Sequence, residues 1–329
     1  MLLATNLLAQ ATRQAALAAV PWQQEARNLA GLLAGTLRNQ SVDVIDIAVG
    51  TVHARAALVA LQEGADAAFQ AAMQIAESKA AEDFYSEAAI IDPMGNGQEL
   101  APEDGLERMR KRLARIPLED GTVRLAAAGN HLVNAHLRLA WEANAATADE
   151  VCQCGFDPHI ERSLRWAGME QFRRGLAKLE TQPLSVLPSF ALTSDYRSYS
   201  GSDEVRRTWD FRDQIVHRDR PSYRDAPAFG RASLWTAEFK VTWPPPENEE
   251  DPDAPSIAER RRVASIAGER TLHYAQAIWE LMQRWLRTVG VFIEHKPGEV
   301  RVKAQIWPGT RGPRVPHDQR DPGPFLRSP

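Results

Sequence analysis

The chain has 329 residues, 44% of them apolar and 25% charged, and a formal net charge of -4. Those proportions are ordinary for a globular protein, and the length suits one large domain or two medium ones. The acidic balance excludes a molecule that attracts polyanions over its whole surface, so any nucleic-acid contact must come from a local basic patch.

Residues 1–20 and 22–38 are Ala/Leu-rich segments separated by Pro21, and both read as helices. Residues 42–61 and 65–91 continue the helical pattern on either side of Gly64. The run Asp92-Pro93-Met94-Gly95-Asn96-Gly97 is a breaker. Residues 106–115 form a short basic amphipathic helix that Pro117 stops, and Glu119-Asp120-Gly121 marks a boundary. The next helix spans 123–144. Its Leu132, Val133, His136, Leu137, Ala140 and Trp141 recur at spacings of three and four, the mark of one buried face. A helix over 157–180 opens on Asp-Pro, an N-cap and first-turn pair. Residues 182–200 are loop-like, and Ser202 or Asp203 caps the helix that follows.

Residues 233–243 alternate as a half-buried strand does, and the proline and acidic run to Pro255 is a linker. A long helix over 257–289 carries the stripe Leu272, Ala275, Trp279, Met282, Leu286 and Val289, read as core or as a seam for a partner helix. Residues 291–294 and 300–306 flank Lys296-Pro297-Gly298 as a hairpin, and 307–329 form a polar, proline-rich tail. The expected fold is therefore mainly α with a small β element. It divides into an N-terminal helical region (1–120), a helical domain with the β element (121–306) and the tail.

The cysteines are Cys152 and Cys154 alone, which excludes a disulfide framework and fits a reducing, cytoplasmic setting. With His159 they make an incomplete ligand set for zinc, so no metal or other cofactor is expected. No apolar run approaches the roughly 20 residues of a membrane span, and the N-terminus lacks the charged start of a signal peptide.

The chemically informative stretch is Trp209-Asp210-Phe211-Arg212-Asp213-Gln214-Ile215-Val216-His217. At about 100° per residue, Arg212 falls about 20° from Val205, inside an apolar arc shared with Trp209, Ile215 and Val216. An arginine there needs either a carboxylate partner or a cleft. Asp213 stands one turn before His217, where it can hold the imidazole and raise its pKa. From Arg206 to Arg224 six arginines face three aspartates, a local excess of positive charge beside Trp209 and Tyr223. On the residues alone, Arg212 and His217 are either a site or a structural ion pair and an idle helix-end histidine. Asn130, His131 and Asn134 are candidates to face the same cleft, whereas His53, His136 and His273 read as packing residues.

The pattern Arg212-Asp213, three residues, His217 resembles the R-x4-6-H motif of the HEPN superfamily, in which a polar residue commonly follows the arginine. The helical order over residues 121–290 is also similar. The resemblance implies a helical bundle that dimerises with its motif helices facing, and a metal-independent endoribonuclease serving as a toxin or phage-defence effector. His217 would be the general acid or base, Arg212 the transition-state stabiliser and Asp213 the orienting group. Arg207, Arg218 and Arg220 would hold RNA phosphates, and an antitoxin or defence protein is an implied partner. The other function open at this point is a non-catalytic HEPN-like binding or scaffold protein, whose N-terminal half engages a partner.

Overall fold

The structure is a computed structural model, and it describes residues 2–38, 52–90, 103–143, 145–158, 168–181, 192–218, 256–296 and 299–304. It is mainly helical with one small antiparallel sheet. The helices are α1 (Leu2–Ala18), α2 (Gln23–Leu37), α3 (Val52–Ile90), α4 (Glu103–Glu142), α5 (Ala148–Gln153), α6 (Met169–Glu180), α7 (Thr193–Ser200), α8 (Asp203–Arg218) and α9 (Ile257–Thr288). Strands β1 (Val291–Lys296) and β2 (Glu299–Ala304) pair antiparallel, Val291 opposite Ala304. The expected strand over 233–243, the breaker at 92–97, the linker to Pro255 and the tail lie outside the described residues.

Helices α3 and α4 form the frame. Their contacts run in opposite directions along the two chains: Glu63 meets His131, Gly64 meets Leu132, Gln70 meets Arg124, and Ala71 meets Gly121. The pair is therefore an antiparallel hairpin of long helices. Small residues let the backbones approach: Ala57, Ala60, Ala65, Ala68, Ala71 and Ala72 on α3 and Ala128 and Ala135 on α4 are all buried. Gly64 explains itself here. A Cβ at Gly64 would come within 2.8 Å of Leu132, so the residue expected to separate a pair of helices instead lets one continuous helix touch its neighbour. Its local cost of about 1 kcal/mol relative to alanine is outweighed by that packing.

Pro117 also fails to stop its helix. It sits inside α4, which runs unbroken from 103 to 142, so the boundary expected near residue 120 falls within a helix. A proline in a helix interior costs about 3 kcal/mol. The residues on either side, Ala114 and Leu118, are buried, and this anchoring holds the helix through the defect. Most of the buried apolar residues, from Ala16 on α1 to Val291 on β1, form one contiguous cluster; Ala114, Ala126, Phe211 and Val263 lie outside it.

The expected loop over 182–200 is corrected over its last stretch, where residues 193–200 are α7. Tyr196 and Tyr199 turn inward from it and are almost fully buried, and that burial offsets the poor helix propensity of a Ser/Tyr-rich segment. The helix expected over 157–180 is corrected: Asp157 and Pro158 are not helical, 159–167 lie outside the described residues, and α6 starts at Met169 after the extended N-cap Gly168. The long C-terminal helix matches its expectation. Leu272, Ala275, Trp279, Met282 and Leu286 are all buried in the core, while Val289, the last residue of the stripe, is exposed. Gly290, at a φ of 82° that favours glycine, ends the turn and releases the chain into β1.

A buried polar–aromatic knot ties α4, α6, α7 and α9. His136 Nδ1 lies 2.6 Å from the Tyr274 hydroxyl. Tyr274 stacks on Tyr199, and Phe172 lies against His136 and Tyr196. The Tyr196 hydroxyl donates to the Met169 carbonyl at 2.9 Å. Burial pushes the Tyr274 phenol well above its usual range and the Tyr199 phenol up to about 12. Tyr274→Phe is expected to cost about 1–3 kcal/mol, since His136 loses a partner away from water. A smaller loss in His136→Leu/Tyr274→Phe than in the two singles summed, by urea unfolding, is the signature of that bond.

Candidate functional site

Helix α8 carries the motif. Val205, Thr208 and Phe211 are buried and face inward against α4 and α9. The Thr208 hydroxyl donates back to the Glu204 carbonyl at 2.7 Å. At the inner face, Leu125, Tyr199, Val205, Thr208, Trp209, Ala267 and Thr271 line a small apolar notch with no room for a small-molecule ligand.

Arg212 stands one turn beyond Thr208, at the outer end of that stripe, with its side chain 35% exposed. Its Nη1 donates to Asp213 Oδ1 at 2.7 Å. The carboxylate that the sequence pairs with His217 is thus engaged by the neighbouring arginine, and at 54% exposure it is open to water. Among the described residues, the carboxylate partner that Arg212 needs comes from the next residue, Asp213. An exposed pair of this kind is weak, typically below about 1 kcal/mol, and a phosphate can displace it. His217 and Arg218 occupy the last turn of α8; their side chains, and Arg220 entirely, lie outside the described residues.

Arg207 is drawn towards α9. Its Nη1 donates to Glu259 Oε1 at 3.0 Å, and Arg262 donates to the same carboxylate through Nε and Nη2. Hydrogen bonds from Arg262 and then Arg207 hold the Glu259 carboxyl down at about 2. The pH consequence has a definite sign. A carboxyl whose folded pKa is depressed contributes stability above its ordinary value of 4.5, and that contribution disappears as pH falls towards about 2. Glu259→Gln is expected to be less stable than the parent near pH 6. The two should converge across that window in urea titrations; a gap that persists at pH 2 would count against the clamp.

The ring of Phe211 sits among cations. The Arg260 guanidinium lies 5.1 Å from its centroid and that of Arg207 lies 6.0 Å away. Arg260 and Glu259 were not legible as site residues, although the run Arg260-Arg261-Arg262 is a visible concentration of charge. Arg261 turns the other way, to Glu82 at 2.7 Å and Ser78 at 3.3 Å, and fastens α9 to α3.

Asn130, His131, Asn134, His53 and His136 are occupied in packing. Asn130 Oδ1 accepts from the Met169 amide and starts α6, the Asn134 amide donates to the Asn130 carbonyl, and His131 pairs with Glu63 on α3. His53 bridges the Pro158 carbonyl and Arg138, whose guanidinium lies over Phe156. His136 is wholly buried as expected, whereas His273, also expected to pack, is exposed. Cys154 is buried with its thiol pushed up to about 12, Cys152 is exposed, and His159 is outside the described residues. Among the described residues no cluster of His, Cys, Asp and Glu has the arrangement of a metal site, and no helix is long and apolar enough to cross a membrane.

Comparison with known proteins returned no match to a family model, to a curated protein or to a solved structure.

Proposed function

We propose that the protein is a metal-independent endoribonuclease of HEPN type, acting through Arg212 and His217 on α8. The observation that supports this most is the position of Arg212. It is fixed by a continuous helix at the outer end of a buried stripe, yet its side chain is 35% exposed and its guanidinium is paired with an exposed neighbouring carboxylate. That placement suits a cation that changes partners when a phosphodiester arrives.

In this reading a ribose 2′-hydroxyl attacks the adjacent phosphorus and the 5′-oxygen leaves. His217 moves the proton at one of these oxygens. Arg212 stabilises the charge that builds on the non-bridging oxygens. Arg207, Arg218 and Arg220 position the backbone without reading sequence. A second copy facing the first across α8 would bring two Arg/His sets to one cleft, and a partner protein, an antitoxin or another defence component, would restrain it in the cytoplasm.

One observation favours the second reading, a non-catalytic binding module of the same type: Arg212 already has a carboxylate partner within its own chain. Purified protein incubated with RNA in EDTA separates the two. Cleavage that Arg212→Ala and His217→Ala both abolish supports the nuclease. Cleavage that survives both, or none by the parent protein, removes it.

A further inference from the structure

Upstream of Arg212, the motif helix carries a ridge of side chains that the motif does not contain. Arg206, Trp209 and Arg212 follow one another at intervals of three on α8. Each therefore stands beside the next on one flank of the helix, with Cβ atoms about 5–6 Å apart. The order is cation, indole, cation. Arg206 is exposed, and its Nε donates to the Ser200 carbonyl at 3.3 Å. That bond steadies the side chain, and among the described residues no carboxylate holds its terminal nitrogens. Its neighbour Arg207 differs, being engaged by Glu259.

Trp209 is half-buried, packed against the core, and helps to line the apolar notch. A buried indole N–H ordinarily finds an acceptor. Among the described residues the N–H of Trp209 has none, and it is not one of the buried polar atoms left without a partner, so it reaches water. The ring is thus anchored by the core and keeps an open donor.

An aromatic ring between two guanidinium groups suits a single strand of nucleic acid. The cations take phosphates and the ring takes the base between them. A duplex keeps its bases stacked and would offer Trp209 only its backbone. A ring already fixed by core packing loses little freedom on binding. The indole N–H can donate to a base carbonyl or ring nitrogen.

We propose that Arg206 and Trp209 form a nucleotide subsite for single-stranded RNA running along α8 to Arg212. Trp209 stacks the base that flanks the scissile phosphate, and Arg206 holds the phosphate on the far side of that base. The choice of RNA and the scissile phosphate rest on the nuclease reading; the base and phosphate contacts do not. Both are positioning residues. They hold the strand equally in ground and transition states, so their loss raises KM and leaves kcat in place.

The test reads binding without turnover. Full-length protein is titrated with a labelled 2′-deoxy oligouridylate, which lacks the attacking hydroxyl, and with the same strand made wholly of abasic residues. The parent should bind the base-bearing strand about 5- to 150-fold more tightly, the range of one base–aromatic stack. Trp209→Leu should bind both strands alike. Trp209→Phe, which keeps the ring and drops the N–H, should retain most of the ratio. A ratio taken within one variant is not moved by a change in stability. Arg206→Gln should keep the ratio and lower the slope of log K against log salt by about 0.7 on both strands, the share of one single-strand phosphate contact.

Equal binding of the two strands by the parent, or a ratio that survives in Trp209→Leu, overturns the base contact. An unchanged slope in Arg206→Gln overturns the phosphate contact. If both fail while Arg212→Ala abolishes cleavage of ordinary RNA, the nuclease stands without the subsite. If ratio and slope behave as expected in a protein that cleaves no RNA, the subsite stands and the nuclease does not. A parent protein that binds neither strand overturns the proposal.

Discussion

Arg212→Ala is expected to lower kcat for RNA cleavage by about 10²–10³-fold, the range seen when one preorganised donor to a developing oxyanion is removed. His217→Ala should cost about 10²–10⁴-fold, the share of a positioned acid or base. In the proposed reaction both groups act on charge that exists only as the phosphorus becomes five-coordinate, so the losses should fall on kcat. Arg212→Lys keeps the charge but loses the fork that grips two oxygens, so it should lie between parent and alanine. Asp213→Asn decides which partner that carboxylate serves. As the partner of His217 it would raise the imidazole pKa, and the substitution would shift the pH–rate profile downward. As the partner of Arg212, the arrangement found in the structure, it leaves the profile in place and changes KM. The structure-based expectation is the second. Sharing of the cleft between copies has its own readout: mixing Arg212→Ala with His217→Ala protein should restore cleavage after subunit exchange. Full activity in either variant, or activity that EDTA removes, would sink the assignment.

What the sequence made legible follows from which physical signals are local. The stripe on α9, apart from the exposed Val289, and the hairpin that follows it were read correctly, because apolar spacing and turn residues are local signals. Gly64 and Pro117 misled for a common reason. Both are breakers by local propensity, but each lies on a helix whose partner makes the unbroken form more favourable, and that partner is far away in sequence. The helix over 193–200 was hidden because its stability comes from burying Tyr196 and Tyr199 against α9 and α6, not from its Ser/Tyr composition. At the site, the helical periodicity put Arg212 inside the apolar arc, whereas its side chain is 35% exposed at the outer end of the buried stripe. It had no means of choosing between Asp213 contacting residue 212 or residue 217, since both are within reach on one helix. Arg260 was out of view altogether, because its closeness to Phe211 arises only when α9 packs on α8.

The turn between α1 and α2 carries the largest expected stability effect. Trp22 is buried between that turn and α9, with its indole N–H 3.4 Å from Ser265 Oγ. Facing it on α9 is Gly268, where a Cβ would collide with Cζ2 and Cη2 of the indole and come within 2.7 Å of Cε2. Glycine in the middle of a 32-residue helix costs about 1 kcal/mol relative to alanine, so its presence here is explained by the ring that fills its place. Trp22→Ala should therefore destabilise by about 3–5 kcal/mol, through lost burial and an uncollapsed cavity. Gly268→Ala gains helix propensity yet should still lose about 1–3 kcal/mol, because the ring must move in a close-packed interior. The decisive measurement is the double variant. Once Trp22 is alanine the methyl at 268 meets open space, so adding Gly268→Ala should be neutral or stabilising. A coupling of about 0.5–3 kcal/mol by urea unfolding is the expected range. Additive losses would mean that the indole does not occupy the glycine notch, and that α1 and α2 are held to the helical frame by other contacts.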